Sequence, residues 1–310
     1  MTAILTILLM TLAAALPARP APAQDLKRTV LALFDGDVDN AANETRIHKI
    51  AEMPLNHLGY HLVYHDVSAG MPPHGDSGAF DHVLTWFDRP IARERDFLDW
   101  ARHEVAAGTR FAILGEPGLS DHGVEDGMAT KYLALFGLRD DGFVPVTYDS
   151  RVVHLDEEVI GYEHPLDPVL SPFPLITVIG AGIDTKLTIE TEYLGDRRRS
   201  AVVTIGPGGG FVPLDYVLFE EDTLEDPQQG RIKWVLNPFR FFAAVFDRPR
   251  APVPDVTTRA GRRIFISQVD GDGWNNLTRV DDPAIAEPRR SARVILDEII
   301  KPNPALPRPS

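Results

Sequence analysis

Apolar and polar positions along the first part of the chain follow two different periods. Short apolar runs bounded by polar turns predict strands at residues 29–34, 82–87 and 110–115, and the alternation of residues 60–67 predicts a further strand. Apolar residues at helical spacing predict helices at residues 45–58, 92–107 and 124–136. The resulting order is strand, helix, strand, strand, helix, strand, helix. This order is typical of an α/β protein with an open, mainly parallel sheet.

The pattern changes after about Val144. Stretches at 144–155, 186–195 and 200–206 predict additional β segments, and the glycine-rich stretch at 206–210 predicts a loop. Residues 233–246 predict the last helix of this region. Segment 248–263 is rich in proline, arginine and small polar residues, which predicts a linker between a domain at 28–247 and a region at 264–310. Within that second region, residues 291–300 predict a helix.

The amino terminus has the pattern of an export signal. An apolar run at residues 3–16 is short for a membrane span and is followed by Ala21-Pro22-Ala23. The small residues at positions 21 and 23 predict a signal peptide, residues 1–23, cleaved after Ala23, and hence a periplasmic or secreted protein. An uncleaved anchor is the alternative, because no lysine or arginine precedes the apolar run.

Charge and cysteine content exclude several classes of function. The formal net charge of −14 argues against general nucleic-acid binding, which requires clustered lysine and arginine. A chain with 0 cysteines has no disulfide and no thiolate nucleophile. An acidic surface would suit a cationic partner such as a partly de-N-acetylated amino sugar, although acidity also serves solubility.

The most specific candidate chemistry lies near the end of the chain. Asp270 and Asp272 follow a short apolar run on a glycine-rich turn, where one carboxylate could act as general base and the other could hold a divalent metal. The alternative is a turn whose aspartates bond only backbone amides. Spacing alone favours the turn.

The stretch "RRIFISQVDGDGWNN" resembles the first motif of NodB-type polysaccharide deacetylases, in the form found in Pel-type exopolysaccharide deacetylases. The resemblance implies that Asp270 is the catalytic base and that Asp272 is a ligand of a zinc-like divalent metal. Residues 27–247 are similar to the glutamine-amidotransferase-like domain that precedes the deacetylase in that family. This implies a flavodoxin-like open sheet with added β segments, followed by the start of a deacetylase (β/α) barrel.

Two departures from the family limit what this chain is expected to do. The family completes its metal site with an H-x-x-x-H pair further along, whereas every histidine here lies at or before His164. We therefore expect an incomplete barrel, no bound metal and no deacetylase activity from this chain alone. The absence of cysteine excludes glutaminase chemistry, and the corresponding turn at 114–118 carries Glu116 at its tip.

The histidines at positions 57, 61 and 65 have a spacing that would align three metal ligands on one helix. However, Gly59 predicts a helix end, and the alternation of residues 60–66 predicts a strand. The spacing therefore does not predict a metal site.

Asp35, Asp37 and Asp39 alternate after the first strand. Asn40 and Arg46 stand where a calcium loop requires glycine and glutamate, which argues against calcium. The run also resembles the D-x-D turn of haloacid-dehalogenase-type phosphatases, but position 39 departs from that pattern. We retain Asp35, Asp37 and Glu116 as candidate ligand-binding residues.

These observations predict an exported protein of envelope or matrix polysaccharide processing, related to metal-dependent N-deacetylases. Its expected partners are an amino-sugar polysaccharide or envelope synthesis and secretion proteins. Dinucleotide binding is not expected, because the glycine-rich stretch lacks a strand-then-helix setting. The alternative is a non-catalytic module that binds a glycan or a protein partner, and a phosphatase using Asp35 ranks below both.

Overall fold

The predicted strands of the amino-terminal region lie side by side in one sheet. The structure, a computed structural model, describes residues 27–75, 78–193, 195–221, 231–247, 253, 273, 275–277 and 289–303. The predicted signal peptide, Asp270 and Asp272 lie outside the described residues, as does the predicted linker apart from Val253. The chain divides into two compact units, Met1–Val253 and Pro254–Ser310.

Among the described residues, the strands are β1 (Thr29–Phe34), β2 (His61–Asp66), β3 (His82–Phe87), β4 (Arg110–Gly115), β5 (Leu138–Val144), β6 (Arg151–Leu155), β7 (Phe173–Val178), β8 (Asp184–Tyr193), β9 (Asp196–Gly206), β10 (Gly209–Val212), β11 (Leu218–Glu221) and β12 (Arg231–Trp234). The helices are α1 (Gly36–Asp39), α2 (Glu52–Leu58), α3 (Glu94–Ala106), α4 (Met128–Ala134), α5 (Pro238–Val245) and α6 (Ser291–Val294). Short π-helical turns at Ile47–Ala51 and Ile295–Ile300 adjoin α2 and α6.

Eight strands form the main sheet, in the order β2-β1-β3-β4-β10-β9-β8-β6. The first five of these strands pair in parallel, and β9, β8 and β6 extend the sheet by antiparallel pairing. Strands β5 and β7 form a separate antiparallel pair, as do β11 and β12. The prediction of an α/β protein with a mainly parallel sheet is confirmed.

Helices cover both faces of the parallel part of the sheet. Successive residues of a strand point to opposite faces, so Val30 and Ala32 of β1 join the core shared with α2 and α5, while Leu31 and Leu33 join the core shared with α3 and α4. Both faces of the strand are therefore buried. This explains why β1, β3 and β4 appear in the sequence as continuous apolar runs, whereas the edge strand β2 alternates.

The prediction of a loop at the glycine-rich stretch 206–210 is wrong for its last two residues. Gly209 and Gly210 begin β10, which lies between β4 and β9 near the middle of the sheet. Gly209 has a φ of +145°, and a Cβ atom there would collide with the backbone of Phe111. Glycine is needed because the two backbones approach too closely for a side chain.

The helix predicted at 233–246 begins later than expected. Lys233 and Trp234 belong to β12, and α5 starts only at Pro238. The Asn237 side chain caps this helix by accepting a hydrogen bond from the Arg240 amide at 3.2 Å. Asparagine at the cap followed by proline in the first turn is a strong local start signal, which overrides the apolar run before it.

The helix predicted at 291–300 in the carboxyl-terminal unit is confirmed as α6 and the π-helical turn that continues it. Asp297 pairs with Arg293 at 2.7 Å and with Lys301 at 2.8 Å on its exposed side. Within the part of the chain that the structure describes, no helix combines the length and apolar character needed to cross a membrane.

Candidate functional site

Acidic residues stand at the carboxyl ends of all five parallel strands. Strands β1, β2, β3, β4 and β10 run in the same direction, so their carboxyl ends meet at one edge of the sheet. The acidic residues at or just after these ends are Asp35, Asp66, Asp88, Glu116 and Asp215. Open α/β sheets bind their ligands at this edge. This edge is therefore the candidate ligand-binding edge of the sheet.

Two of these carboxylates shape the loop that follows β1. Asp66 accepts hydrogen bonds from the Gly36 amide at 2.8 Å and from the amide and hydroxyl of Ser68 at 2.9 and 2.7 Å. Partial burial raises the pKa of Asp66, but these hydrogen bonds outweigh it and leave the pKa below its usual value. Asp35, only 6% exposed, caps α1 by accepting from the Asp37 amide at 3.1 Å.

Two adjoining cavities open at this edge, with volumes of about 400 and 240 Å³. Arg46 and Trp86 line both, and we call the two cavities together the acidic cleft. The smaller cavity is also lined by Asp35, Asp39, Asp88 and Arg89, and the larger one by Asp167, Asp215, Phe219 and Glu220. Of the predicted ligand-binding residues, Asp35 lies in the cleft, whereas Asp37 is exposed outside its lining.

Negative charge is in excess within the acidic cleft. Partial burial and the neighbouring carboxylates of Asp88 and Asp35 raise the pKa of Asp39, although Arg46 opposes them. Partial shielding from water, together with Glu116 and Glu220, raises the pKa of Asp215. A raised carboxylate pKa means that the negative form is incompletely compensated. A bound cation would relieve this repulsion in both cavities.

Trp86 supplies the apolar wall that the two cavities share. Its side chain is 7% exposed and lies 6.0 Å, ring to ring, from Trp234. The indole Nε1 is buried and has no hydrogen-bond partner among the described residues. A buried donor without an acceptor costs on the order of 1–3 kcal/mol. Since that nitrogen is out of reach of solvent, Trp86 contributes only the apolar surface of its ring to the cleft.

Glu116 belongs to a charged group at the end of β4. Gly115 turns the chain with a φ of +77°, and the Glu116 amide donates to the Phe87 carbonyl at 2.7 Å. The His122 ring lies between two carboxylates: its Nε2 is 3.4 Å from Glu116, and its Nδ1 is 2.6 Å from Asp140. Asp140 is 2% exposed and also accepts from the Gly142 amide at 2.9 Å.

The protonation of His122 determines what this group can do. Burial lowers the pKa of His122, but the hydrogen bonds and charges of Asp140 and Glu116 outweigh it and raise the pKa to about 9. The ring is therefore an imidazolium at neutral pH and has no lone pair with which to accept a proton. With Glu116 at the tip of the turn and no cysteine in the chain, the group is a fixed ion cluster without an activated nucleophile.

Sequence reasoning missed both His122 and Asp140. Asp140 lies on β5, outside the main sheet and 18 residues along the chain from His122. No short motif joins them. The only sequence signal was that His122 lies in a polar segment shortly after the turn that carries Glu116, and this does not identify Asp140 as its partner.

The histidines at 57, 61 and 65 do not form a common site. His57 lies in α2, whereas His61 and His65 lie on β2. Gly59 ends α2 in the left-handed conformation, with a φ of +90°. The prediction that a helix end and a strand share this window is confirmed, so the regular spacing has no geometric meaning.

Comparison of the chain with protein-family models, with curated proteins and with solved structures finds no match. The roles of Asp270 and Asp272 stay predictions from the sequence.

Proposed function

We propose that this protein takes part in the processing of an envelope or matrix amino-sugar polymer, and that its α/β unit binds the polymer in the acidic cleft. The observation that carries the proposal is the row of carboxylates at the ends of five adjacent parallel strands, of which Asp35, Asp88 and Asp215 line two cavities that share Arg46 and Trp86. The strand order β2-β1-β3-β4-β10 supports the finer proposal of a flavodoxin-like, amidotransferase-like domain.

The chemistry of the cleft suits a sugar that carries a free amine. An ammonium group would pair with Asp39 or Asp88, and its positive charge would offset the partial burial and the neighbouring carboxylates that together raise the pKa of Asp39. Sugar hydroxyls can donate to carboxylates and accept from Arg46 and Arg89. The apolar face of a pyranose ring can lie against an aromatic wall such as that of Trp86 and Phe219.

The resemblance to deacetylases supports the same biological context. In that proposal Asp270 is the general base and Asp272 a metal ligand, the metal being a zinc-like divalent cation. A bound metal would supply an activated water. Residues 273–310 hold no histidine, so any imidazole ligands of that metal would have to come from elsewhere. Export to the periplasm or the exterior, with cleavage after Ala23, belongs to the same proposal.

The phosphatase alternative has less support. Asp35 lines the smaller cavity but is only 6% exposed, and its carboxylate caps α1 by accepting from the Asp37 amide. A nucleophile must instead be open to its substrate.

The test is calorimetric titration of the full chain with a glucosamine oligomer and, separately, with the N-acetylated oligomer of equal length. We expect the free-amine oligomer to bind more tightly. Asp88→Asn should weaken its binding by about fivefold, which corresponds to the loss of roughly 1 kcal/mol from one partly screened ion pair. Asp99→Asn is the matched control, since Asp99 is an exposed aspartate on α3 that pairs with Arg102. Equal binding of the two oligomers, or binding of neither, would contradict the proposal.

A further inference from the structure

A second group of ligand-type side chains lies at the opposite edge of the sheet from the acidic cleft. His103 and Glu104 occupy the last turn of α3, which ends at Ala106, shortly before β4 begins at Arg110. His74 comes from the loop between β2 and β3. The group therefore lies near the edge where β4 starts, away from the carboxylates at the strand ends.

The three side chains are close enough to share one ion. One ligand atom from each of His74, His103 and Glu104 lies within 4.8 Å of the other two. The two imidazole rings are 3.9 Å apart, centre to centre, and His74 Nδ1 lies 2.7 Å from Glu104 Oε1. A tetrahedral zinc site with metal–ligand distances of about 2.0–2.2 Å needs its ligand atoms roughly 3.3 Å apart. Small side-chain rotations would reach this spacing.

The carboxylate of this group is held in place before any ion binds. Glu104 is completely buried, and its Oε2 accepts from the Thr109 hydroxyl at 3.0 Å. The Gly75 amide points at both carboxylate oxygens, at 3.3 Å each. A Cβ atom at Gly75 would lie 2.9 Å from the Phe80 ring and 3.0 Å from Glu104, so glycine permits this approach. The loop backbone thus supports the carboxylate much as outer-shell groups support metal ligands.

The electrostatics of the position favour a cation. Neutral donors such as the Thr109 hydroxyl and the Gly75 amide leave the net negative charge of the buried Glu104 carboxylate in place, and a nearby cation would neutralise it. Glu104 also lies at the carboxyl end of α3, where the helix dipole adds further negative potential. Two imidazoles in close contact can both offer a lone pair to one ion, whereas two imidazolium rings would repel each other.

We propose that His74, His103 and Glu104 form a binding site for a divalent transition-metal cation of the zinc class. Two imidazole nitrogens and one carboxylate oxygen are ligands that zinc accepts, and magnesium and calcium prefer all-oxygen sites. The fourth position is left to water. The ion would join the loop after β2 to the end of α3. The proposal is independent of the function proposed for the acidic cleft.

The test uses the full chain, stripped of metal with a chelator and then titrated with Zn²⁺ by calorimetry. Imidazole ¹⁵N nuclear magnetic resonance follows the histidine rings during the same titration. We expect one equivalent to bind, with shifts in the resonances of His74 and His103, and no comparable binding of Mg²⁺. His103→Ala should weaken binding at least about tenfold. Because His103 is exposed, this change should leave the circular dichroism spectrum unaltered.

Two further variants distinguish this site from zinc binding elsewhere on the chain. His61→Ala removes an exposed histidine on β2 and should bind Zn²⁺ like the parent chain. Asp272→Ala should also retain the site, which distinguishes it from the metal ligand proposed by resemblance. If His103→Ala binds as tightly as the parent chain, or if Zn²⁺ leaves the resonances of His74 and His103 unmoved, the group is only a hydrogen-bonded cluster and the proposal is wrong.

Discussion

Replacement of His122 by glutamine should destabilise the amino-terminal unit by an amount that depends strongly on pH. The pKa of His122 is raised to about 9 in the folded protein, against an ordinary value of about 6.5. Each pKa unit corresponds to about 1.36 kcal/mol of preference for the charged form. The shift therefore contributes on the order of 3 kcal/mol to the free energy of unfolding when His122 is charged in both states.

The direction of the pH effect follows from the sign of the shift. The folded state binds the His122 proton more tightly than the unfolded state, so protonation stabilises the fold. The contribution is complete below about pH 6.5 and decreases as the pH rises towards 9. Above that range it is lost, and the remaining difference between the two proteins reflects mainly packing of the ring against Phe143.

The assay is urea unfolding of the parent chain and of His122→Gln, followed by tryptophan fluorescence at pH 6 and pH 10. We expect a difference in unfolding free energy of about 3 kcal/mol at pH 6 and a much smaller one at pH 10. His61→Gln, an exposed histidine on β2, is the control and should differ little from the parent at either pH. An equal difference at both pH values would refute the view that His122 is held as an imidazolium between Asp140 and Glu116.

Three other predictions address the cleft, the sheet and the deacetylase motif. The raised pKa of Asp39 means that it takes up a proton at higher pH than an ordinary aspartate, so the calorimetric affinity for a glucosamine oligomer, once its amines are fully protonated, should fall as the pH is lowered further towards the ordinary aspartate range; constant affinity over that acidic range would count against its role. Gly209→Ala should lower the unfolding free energy by roughly 3 kcal/mol or more through strain and collision with Phe111. Gly70→Ala, with a similar φ of +136° but no atom within 4 Å, should cost only the strain, about 1 kcal/mol, and equal costs would mean that the close approach is unimportant. The chain with added Zn²⁺ should release no more acetate from N-acetylated oligosaccharides than its Asp270→Ala variant, and turnover above that control would overturn the expectation of inactivity.

The sequence determined the local elements of the α/β unit well, because periodicity is a local property. Strands β1, β3 and β4 appear as apolar runs since both of their faces are buried beneath helices. Gly59 marks the end of α2 because glycine adopts the left-handed backbone conformation of the cap with little strain. These signals need no knowledge of distant residues, and together they were sufficient for the fold class.

Which distant residues meet depends on how the elements pack against one another. The parallel arrangement brings the ends of five strands to one edge, where residues that follow β1, β3 and β10 line the acidic cleft although they are far apart in the chain. It also places β10 beside β4. Gly209, which the sequence predicted to lie in a loop, is needed there because the backbone of Phe111 approaches closely. The pairs His122–Asp140 and His74–Glu104 are separated by 18 and 30 residues, and neither has a motif. Such contacts arise from packing between elements, and local hydrophobic patterns carry no information about them.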